Sequence, residues 1–412
     1  MRQNKIELMA PAGSYESLMA AIQAGADSVY FGIEQLNMRA RSSNNFTLED
    51  LAKIASVCNE NHIKSYLTLN TILYDHDINL MKRIVDAAKD NGISAVIAAD
   101  HAVLNYAKKI GFPVHISTQA NVSNIDTIEF YSAYADVVVL ARELSLMQVA
   151  DITRDIKRQE IKGPSGNLVR IELFAHGALC MAVSGKCYLS LHSDYASANR
   201  GACIQNCRKS YIVTEKENGT EFEVDNEYIM SAKDLCTIEF MDKILDAEVT
   251  ILKIEGRGRS ADYVHTVVSC YREAINSYAN GTYGPELFED WKTRLSTVFN
   301  RGFWDGYYLG RKMGEWSNEY GSKATRKKIY IGRGIKYFDK VGAAEFVMDS
   351  HSLTKGTEIM ITGPTTGIIR TTVTEMRVDD KMQDTVRKGD AFSILLADKI
   401  RPSDKLYKME DS

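Results

Sequence analysis

The chain has 412 residues, of which 45% are hydrophobic and 25% charged, and a formal net charge of −4. This is an ordinary globular balance, long enough for two or three domains at roughly 100–200 residues each, and its mildly acidic total neither requires nor excludes a nucleic-acid partner. No stretch approaches the ~18 apolar residues of a membrane span, and the N-terminal MRQNKIELMAPAG lacks a secretion-signal pattern, so a cytoplasmic protein without a membrane partner is expected.

Along the chain, short β-type runs alternate with helical patterns. Strands are expected at 6–10, 28–32, 64–69, 94–99, 114–118, 136–140, 168–174 and 250–254. Between them, segments such as YESLMAAIQAG, LEDLAKIASVCNEN, NLMKRIVDAAKDNG and DTIEFYSAYA carry apolar residues at helical spacing, with Gly25 and Gly92 placed to end helices. Eight β-α units in this length predict an α/β fold of TIM-type, a (β/α)8 barrel over residues 1–310; an open doubly wound sheet is the alternative.

In such a barrel the active site lies at the C-terminal strand ends. Polar residues collect there: Ser14, Glu34, Asn70, Asp100, Gln119, Asn121, Arg142, Glu143, His176, Glu255 and Arg257. Taken singly, each reads as a satisfied loop residue or a helix cap; the shared rim makes Asn70, Gln119, Arg142 and Arg257 candidate substrate-binding residues and Glu143, His176 and Glu255 candidate catalytic ones. Guanidinium groups suit anionic ligands through paired charge-assisted hydrogen bonds. A salt-bridge network along the rim would use the same residues.

The connection from the seventh to the eighth strand, about residues 177–249, is far longer than the others, and long loops are usually functional or disordered. It carries Cys180, Cys187, Cys203 and Cys207 in a C-x6-C-x15-C-x3-C pattern, followed by Cys236 at the start of an expected helix, SAKDLCTIEFMDKILDA. Seven cysteines, an odd number at irregular spacing, argue for reduced thiols. A tetrahedral zinc site usually shows a tight C-x2-4-C knuckle at each end, and only Cys203 and Cys207 are that close; iron-sulfur clusters accept more varied spacing. The C-x3-C-x2-C triplet of radical S-adenosylmethionine enzymes fails because position 210 is Ser210. Cys58 and Cys270 fall on helical patterns and read as core residues.

Beyond residue 310 the composition shifts. Residues 311–327 read as a charged linker, and 328–412 as a small β-barrel domain of short alternating strands. The run Arg326-Lys327-Lys328 with Tyr330, Arg333, Lys336 and Tyr337 offers charge and aromatic surface for RNA; packing or dimerisation is the plainer reading.

The stretch ELFAHGALCMAVSGKCYLS resembles the signature of the collagenase-like peptidase family U32, with Glu172, Gly177, Ala178, Leu179, Cys180, Gly185, Cys187 and Ser190 filling its positions. The resemblance extends through ELMAPAGSYESLMAAIQAGADSVYFG, LARELSL, NRGACIQNCR, SAKDLC, KIEGRGRSADYV and NRGFWDGYYLG. Within that family the resemblance points to bacterial tRNA hydroxylation proteins, with a sister group acting on rRNA. The resemblance implies iron-sulfur-dependent formation of 5-hydroxyuridine at the tRNA wobble position, with prephenate as a small dicarboxylate co-substrate. It also implies a 4Fe-4S cluster on Cys180, Cys187, Cys203 and Cys207, with Cys236 as an alternate, and it leaves room for a homo-oligomer or a related partner subunit. Peptidase activity and a non-catalytic RNA-binding protein holding structural zinc are the alternatives. The sequence has no HExxH or G-x-S-x-G, and His176, four residues before Cys180, is the one imaginable local base for a thiol nucleophile.

Overall fold

The computed structural model describes residues 6–41, 45–212, 214, 216–217, 219, 230–310, 314–318 and 321–412. Eight parallel strands close on themselves: β1 (Glu7–Pro11), β2 (Ser28–Phe31), β3 (Lys64–Leu69), β4 (Ala95–Ala98), β5 (Val114–Ile116), β6 (Val137–Val139), β7 (Arg170–Ala178) and β9 (Ile251–Ile254), which pairs with both β7 and β1. The expected barrel is therefore the observed one, and the open sheet is not.

The strands are buried on both faces, as parallel strands covered by helices must be. Met9, Tyr30, Tyr66, Ala95, Ile97, Val137 and Ile251 form one cluster of the core. A larger apolar layer joins the strands to the helices α1 (Tyr15–Gln23), α2 (Asp50–Glu60), α3 (Ile78–Asp90), α4 (His101–Ile110), α5 (Ile125–Ser132) and α6 (Leu146–Arg158). Helix α3 shows why: Met81, Ile84, Val85 and Ala88, at the i, i+3, i+4, i+7 spacing, are its buried residues. Each large side chain there contributes about 1.5–3 kcal/mol of burial, so Ile84→Asp would detach the helix. Gly25 and Gly92 end α1 and α3 in the left-handed region, as their placement predicts.

The insertion after β7 folds against the barrel rim. It contains α7 (Leu189–Asp194), the strand β8 (Asp234–Cys236) and α8 (Met241–Asp246). Residues 234–236 are not the start of a helix, as the sequence suggests, but pair antiparallel with the end of β7, His176 opposite Cys236. Helices α9 (Ala261–Ala279) and α10 (Pro285–Ser296) and strand β10 (Phe303–Trp304), beside β8, complete this part.

In the expected linker, residues 311–313, 319 and 320 lie outside the described residues. Its middle is held: Ser317 N donates to Ser231 O at 2.7 Å, and Lys233 N to Glu315 O at 3.0 Å. The C-terminal part begins inside that linker, at β11 (Arg326–Phe338). With β12 (Ala343–Met348), β14 (Glu358–Gly363), β15 (Gly367–Thr372), β16 (Arg377–Val378), β17 (Lys381–Met382), β19 (Ala391–Leu395) and β20 (Lys405–Asp411) it forms an antiparallel sheet; β13 (Ser352–Thr354) and β18 (Thr385–Arg387) make a separate ribbon. This all-β part has its own core around Phe346, Ile361 and Phe392.

It docks on α1 and α9. Ala20, Ala261, Met360 and Ile368 make an apolar contact, Gln23 Nε2 donates to Thr366 O at 2.9 Å, and Arg370 Nη2 to Thr266 Oγ1 at 3.0 Å. Among the described residues, no helix is long and apolar enough to cross a membrane.

Candidate active site

A cavity of about 340 Å³ opens at the C-terminal ends of the barrel strands, and every described residue lining it lies at or before Arg301. Asn70 enters from the end of β3, Ser117, Thr118 and Gln119 from β5, Arg142 from β6, Ala178 and Leu179 from β7, and Glu255 and Arg257 from β9. The insertion supplies the remaining wall, including Cys180, Cys187, Cys203 and Cys207.

Local geometry brings the two cysteine pairs together. Gly177, in the left-handed region at φ +106°, turns the chain off β7 where a Cβ would lie 2.5 Å from Glu255 O. Gly185, between the first two cysteines at φ +75°, passes so close to Gln119 that a Cβ would lie 2.0 Å from its Oε1. The second pair is fastened to the first from two sides. Ile204 N donates to Ser190 Oγ at 3.0 Å, and the Arg208 guanidinium, next to Cys207, donates to Leu179 O at 2.7 Å and Ser231 Oγ at 3.0 Å. Burial pushes the Cys207 thiol upward, the Arg208 charge opposes it, and the nearby sulfurs of Cys180, Cys203 and Cys187 add to it. Among the described residues, no three His, Cys, Asp or Glu side chains converge closely enough for a single metal ion.

The rest of the wall is cationic. Arg39, Arg142, Arg208, Arg257, Arg259, Arg301 and Lys253 line the cavity, against one carboxylate among the described residues, Glu255. Burial alone would raise the Glu255 carboxyl; the charges of Arg39, Arg142 and Arg257 outweigh it and hold it at about 2. Arg39 Nη2 is 3.0 Å from Glu255 Oε1, and Tyr30 Oη donates to Oε2 at 3.0 Å. Burial lowers the Arg257 guanidinium to about 10, and its Nη1 donates to Thr68 Oγ1 at 2.8 Å. Arg142 stacks 3.8 Å over the Phe174 ring and donates to Ala178 O at 3.1 Å.

Among the described residues, four side chains that line the cavity carry a buried polar atom with no hydrogen-bond partner: Thr118 Oγ1, Gln119 Oε1, Arg142 Nε and Asn206 Oδ1. Unsatisfied buried groups of this kind are uncommon and suit a ligand. At the floor, Lys253 Nζ sits 2.7 Å from Glu172 Oε1 and 4.5 Å from the Tyr30 ring centroid.

Of the residues singled out from sequence, Asn70, Gln119, Arg142, Glu255, Arg257 and the four cysteines meet in this cavity. Glu143 is exposed and does not line it. His176 is turned aside into a cage of Tyr263, Tyr271 and Phe303, and burial lowers its imidazole to about 3. Cys236 lies with it, its sulfur 4.0 Å from Tyr271 Oη and its thiol pushed up to about 11 by burial. Neither side chain lines the cavity.

Sequence reasoning assigned no role to Arg39, Arg208, Arg259, Arg301 or Lys253. Four of these lie inside motifs already conspicuous in the chain, NCR, KIEGRGRS and NRGFWDG, where a repeated arginine beside a strand end was the available signal. Arg39 had none, because it reaches Glu255 across 216 residues of chain.

The model of peptidase family U32 matches residues 13–318. A Porphyromonas gingivalis protein named collagenase is 59% identical over 410 residues, covering 100% of this chain and 99% of that one. A Helicobacter pylori tRNA hydroxylation protein P is 33% identical over 319 residues, 75% of this chain and 72% of its own. An Escherichia coli protein named as a 23S rRNA 5-hydroxycytidine synthase is 32% identical over 278 residues, 66% of this chain and 40% of its own. With three quarters of its length under the family model and this architecture beneath it, the chain belongs to peptidase family U32.

Proposed function

We propose that this protein is an RNA-modifying enzyme that hydroxylates tRNA, converting wobble uridine to 5-hydroxyuridine with a 4Fe-4S cluster and prephenate. The observation that carries the reading is the composition of the cavity wall: among the described residues, four thiols beside six arginines and a lysine, with no histidine. A peptidase of the thiol class needs a base within hydrogen-bond reach of its nucleophile, and a metallopeptidase needs a metal-bound water. The wall offers neither pairing, and its single carboxylate, Glu255, is held ionised in contact with Arg39.

The donor set suits a cluster. Cys180, Cys187, Cys203 and Cys207 would hold it, since four thiolates are the usual ligation and the surrounding guanidinium groups offset its negative charge. Bound there with all four thiolates, such a cluster would supply electron transfer. Arg142 and Arg257 would hold the carboxylates of prephenate, with Asn70 and Gln119 as polar partners on the same wall. Relatives that act on tRNA and on rRNA support RNA as the substrate.

Deleting the gene and digesting total tRNA tests this directly. Nucleoside mass spectrometry should show 5-hydroxyuridine lost, and a plasmid copy should restore it. Unchanged 5-hydroxyuridine in a strain with no second copy of the gene overturns the proposal, and cleavage of gelatin by the anaerobically purified protein would then return the peptidase, the activity named in the 59%-identical relative, to first place.

A further inference from the structure

The outer surface of the cysteine-bearing insertion is unusual for a segment with a folded core beneath it. Tyr195 is 94% exposed, Tyr188 77% and Tyr74 53%, and Met181, Val183, Leu191 and Ile204 are exposed around them. Single exposed apolar residues are ordinary; a group of large ones within one segment marks an interaction surface. Tyr188 and Tyr195 bracket α7, whose Leu189 and Ser190 line the cavity. Tyr74 joins them across the rim: Ile72 N donates to Asn199 O at 3.0 Å, and Arg200 stacks 3.8 Å over the Tyr74 ring while its Nη1 meets Asp77 Oδ2 at 2.7 Å.

Two features suggest that these rings are held for a partner. Tyr195 occupies the left-handed region at φ +51°, which a bulky residue adopts only at a cost, yet its ring gains almost no burial in return. Tyr74 is fixed by the Arg200 guanidinium behind it, so one face is preorganised. Within this part of the insertion basic residues outnumber acidic ones. Residues 177–212 contain Lys186, Arg200, Arg208 and Lys209 against a single acid, Asp194, and that carboxylate accepts a hydrogen bond from Asn206 Nδ2 at 2.6 Å. Lys186 and Lys209 are exposed.

We infer that this surface docks single-stranded RNA, with nucleobases stacked on Tyr74, Tyr188 and Tyr195 and phosphates met by Lys186 and Lys209, so that one unstacked base can enter the cavity. The inference rests on the RNA-modification reading and adds to it where the RNA sits: on the insertion, not on the C-terminal sheet. Aromatic faces beside a basic path are the general means of holding unpaired nucleic acid, because every base has a π-face. On the C-terminal sheet several of the corresponding charges are paired: Arg326 contacts Glu358 at 2.7 Å, Arg333 contacts Asp349 at 2.9 Å, and Lys328 pairs with Asp262 of α9.

The test uses the full chain and a fluorescein-labelled RNA stem-loop with an unpaired uridine-rich loop, read by fluorescence anisotropy across a salt series. Tyr188→Ala, Tyr195→Ala and Tyr74→Ala should each weaken binding by roughly five- to a hundredfold with the salt slope unchanged, and the Phe variants should restore it. Lys186→Ala and Lys209→Ala should each lower the slope by about 1. If the parent protein binds the RNA and all three Ala variants bind equally well, the surface is wrong and the RNA reading stands. If the parent binds labelled gelatin instead, and the Ala variants lose that binding, the surface belongs to a peptide and the inference falls. Failure of the parent to bind the RNA at low salt overturns the docking surface, while the 5-hydroxyuridine content of the deletion strain separately decides whether tRNA hydroxylation survives.

Discussion

Lys253 Nζ lies 2.7 Å from Glu172 Oε1, and both side chains are buried in the barrel beneath the cavity. His115 Nδ1 stands 3.4 Å from the other carboxylate oxygen. Burial would raise the Glu172 carboxyl, but the Lys253 charge outweighs it and the group lies below the usual carboxylate range. Its contribution to stability is therefore full above the unfolded value near 4.5 and is lost as pH falls through the folded one.

Removing one member of such a pair strands the other. Glu172→Gln or Lys253→Met should each cost about 3–5 kcal/mol, while Lys253→Met with Glu172→Leu should cost less than the two single changes added together. Urea denaturation at pH 7 measures all three. Additive losses would mean that the pair is not coupled.

His176 supplies a pH-dependent term of a different kind. Burial keeps its imidazole neutral down to about 3, whereas in the unfolded chain it takes up a proton near 6.5. The unfolded state then binds more protons, so this stability is complete above pH 6.5 and declines as pH falls toward 3, at roughly 1.4 kcal/mol per pH unit. His265, lowered to about 4 by burial, adds a smaller term of the same sign. His176→Leu should flatten the stability profile between pH 6.5 and 4.5, checked by urea midpoints across that range. An unaltered profile would show that the ring does not stay buried and neutral.

The cysteines can be sorted by metal content. Cys180→Ala, Cys187→Ala, Cys203→Ala and Cys207→Ala should each lower iron and sulfide per chain after anaerobic purification, because each would remove one of the four ligands of the proposed cluster. Cys236→Ala should leave both unchanged, since its sulfur packs with Tyr271 away from the cavity. Arg257→Lys gives the complementary pattern, with iron retained and modification reduced, because an ammonium cannot reproduce the guanidinium fork. Iron loss in the Cys236 variant alone would overturn this ligand set.

The barrel was legible because its signals are local. Alternating periodicity, the glycines that end α1 and α3, and eight strand-like runs all agree with the closed sheet. Where tertiary pairing decides, the reading failed. SAKDLC looks like the start of a helix, but Asp234–Cys236 gains a ladder with the end of β7, and that outweighs the helical pattern. Rim position was legible for Arg142 and Glu255 but not for His176, because spacing along a strand does not say whether a terminal side chain turns inward to a cavity or outward into Tyr263 and Tyr271. The arginine wall was the least legible, since it draws on loops far apart in the chain.

The run Arg326-Lys327-Lys328 shows how a charge pattern can mislead. From sequence it is a basic strip for RNA; in the structure each member faces a carboxylate. Arg326 meets Glu358 at 2.7 Å, Lys327 lies 3.8 Å from Glu410, and Lys328 pairs with Asp262, whose carboxyl burial would raise but which the Lys328 charge holds down. Only the last of these crosses from the C-terminal sheet to the barrel, and exposed pairs of the other kind contribute about 0–1 kcal/mol each. Changing all three to Ala should therefore loosen the sheet from α9 and leave RNA affinity and its salt slope nearly as they were. Limited proteolysis within 311–325 reads the first effect, and anisotropy across a salt series reads the second. A fall in the slope of about 3, one for each cation removed, would place RNA on this strip after all.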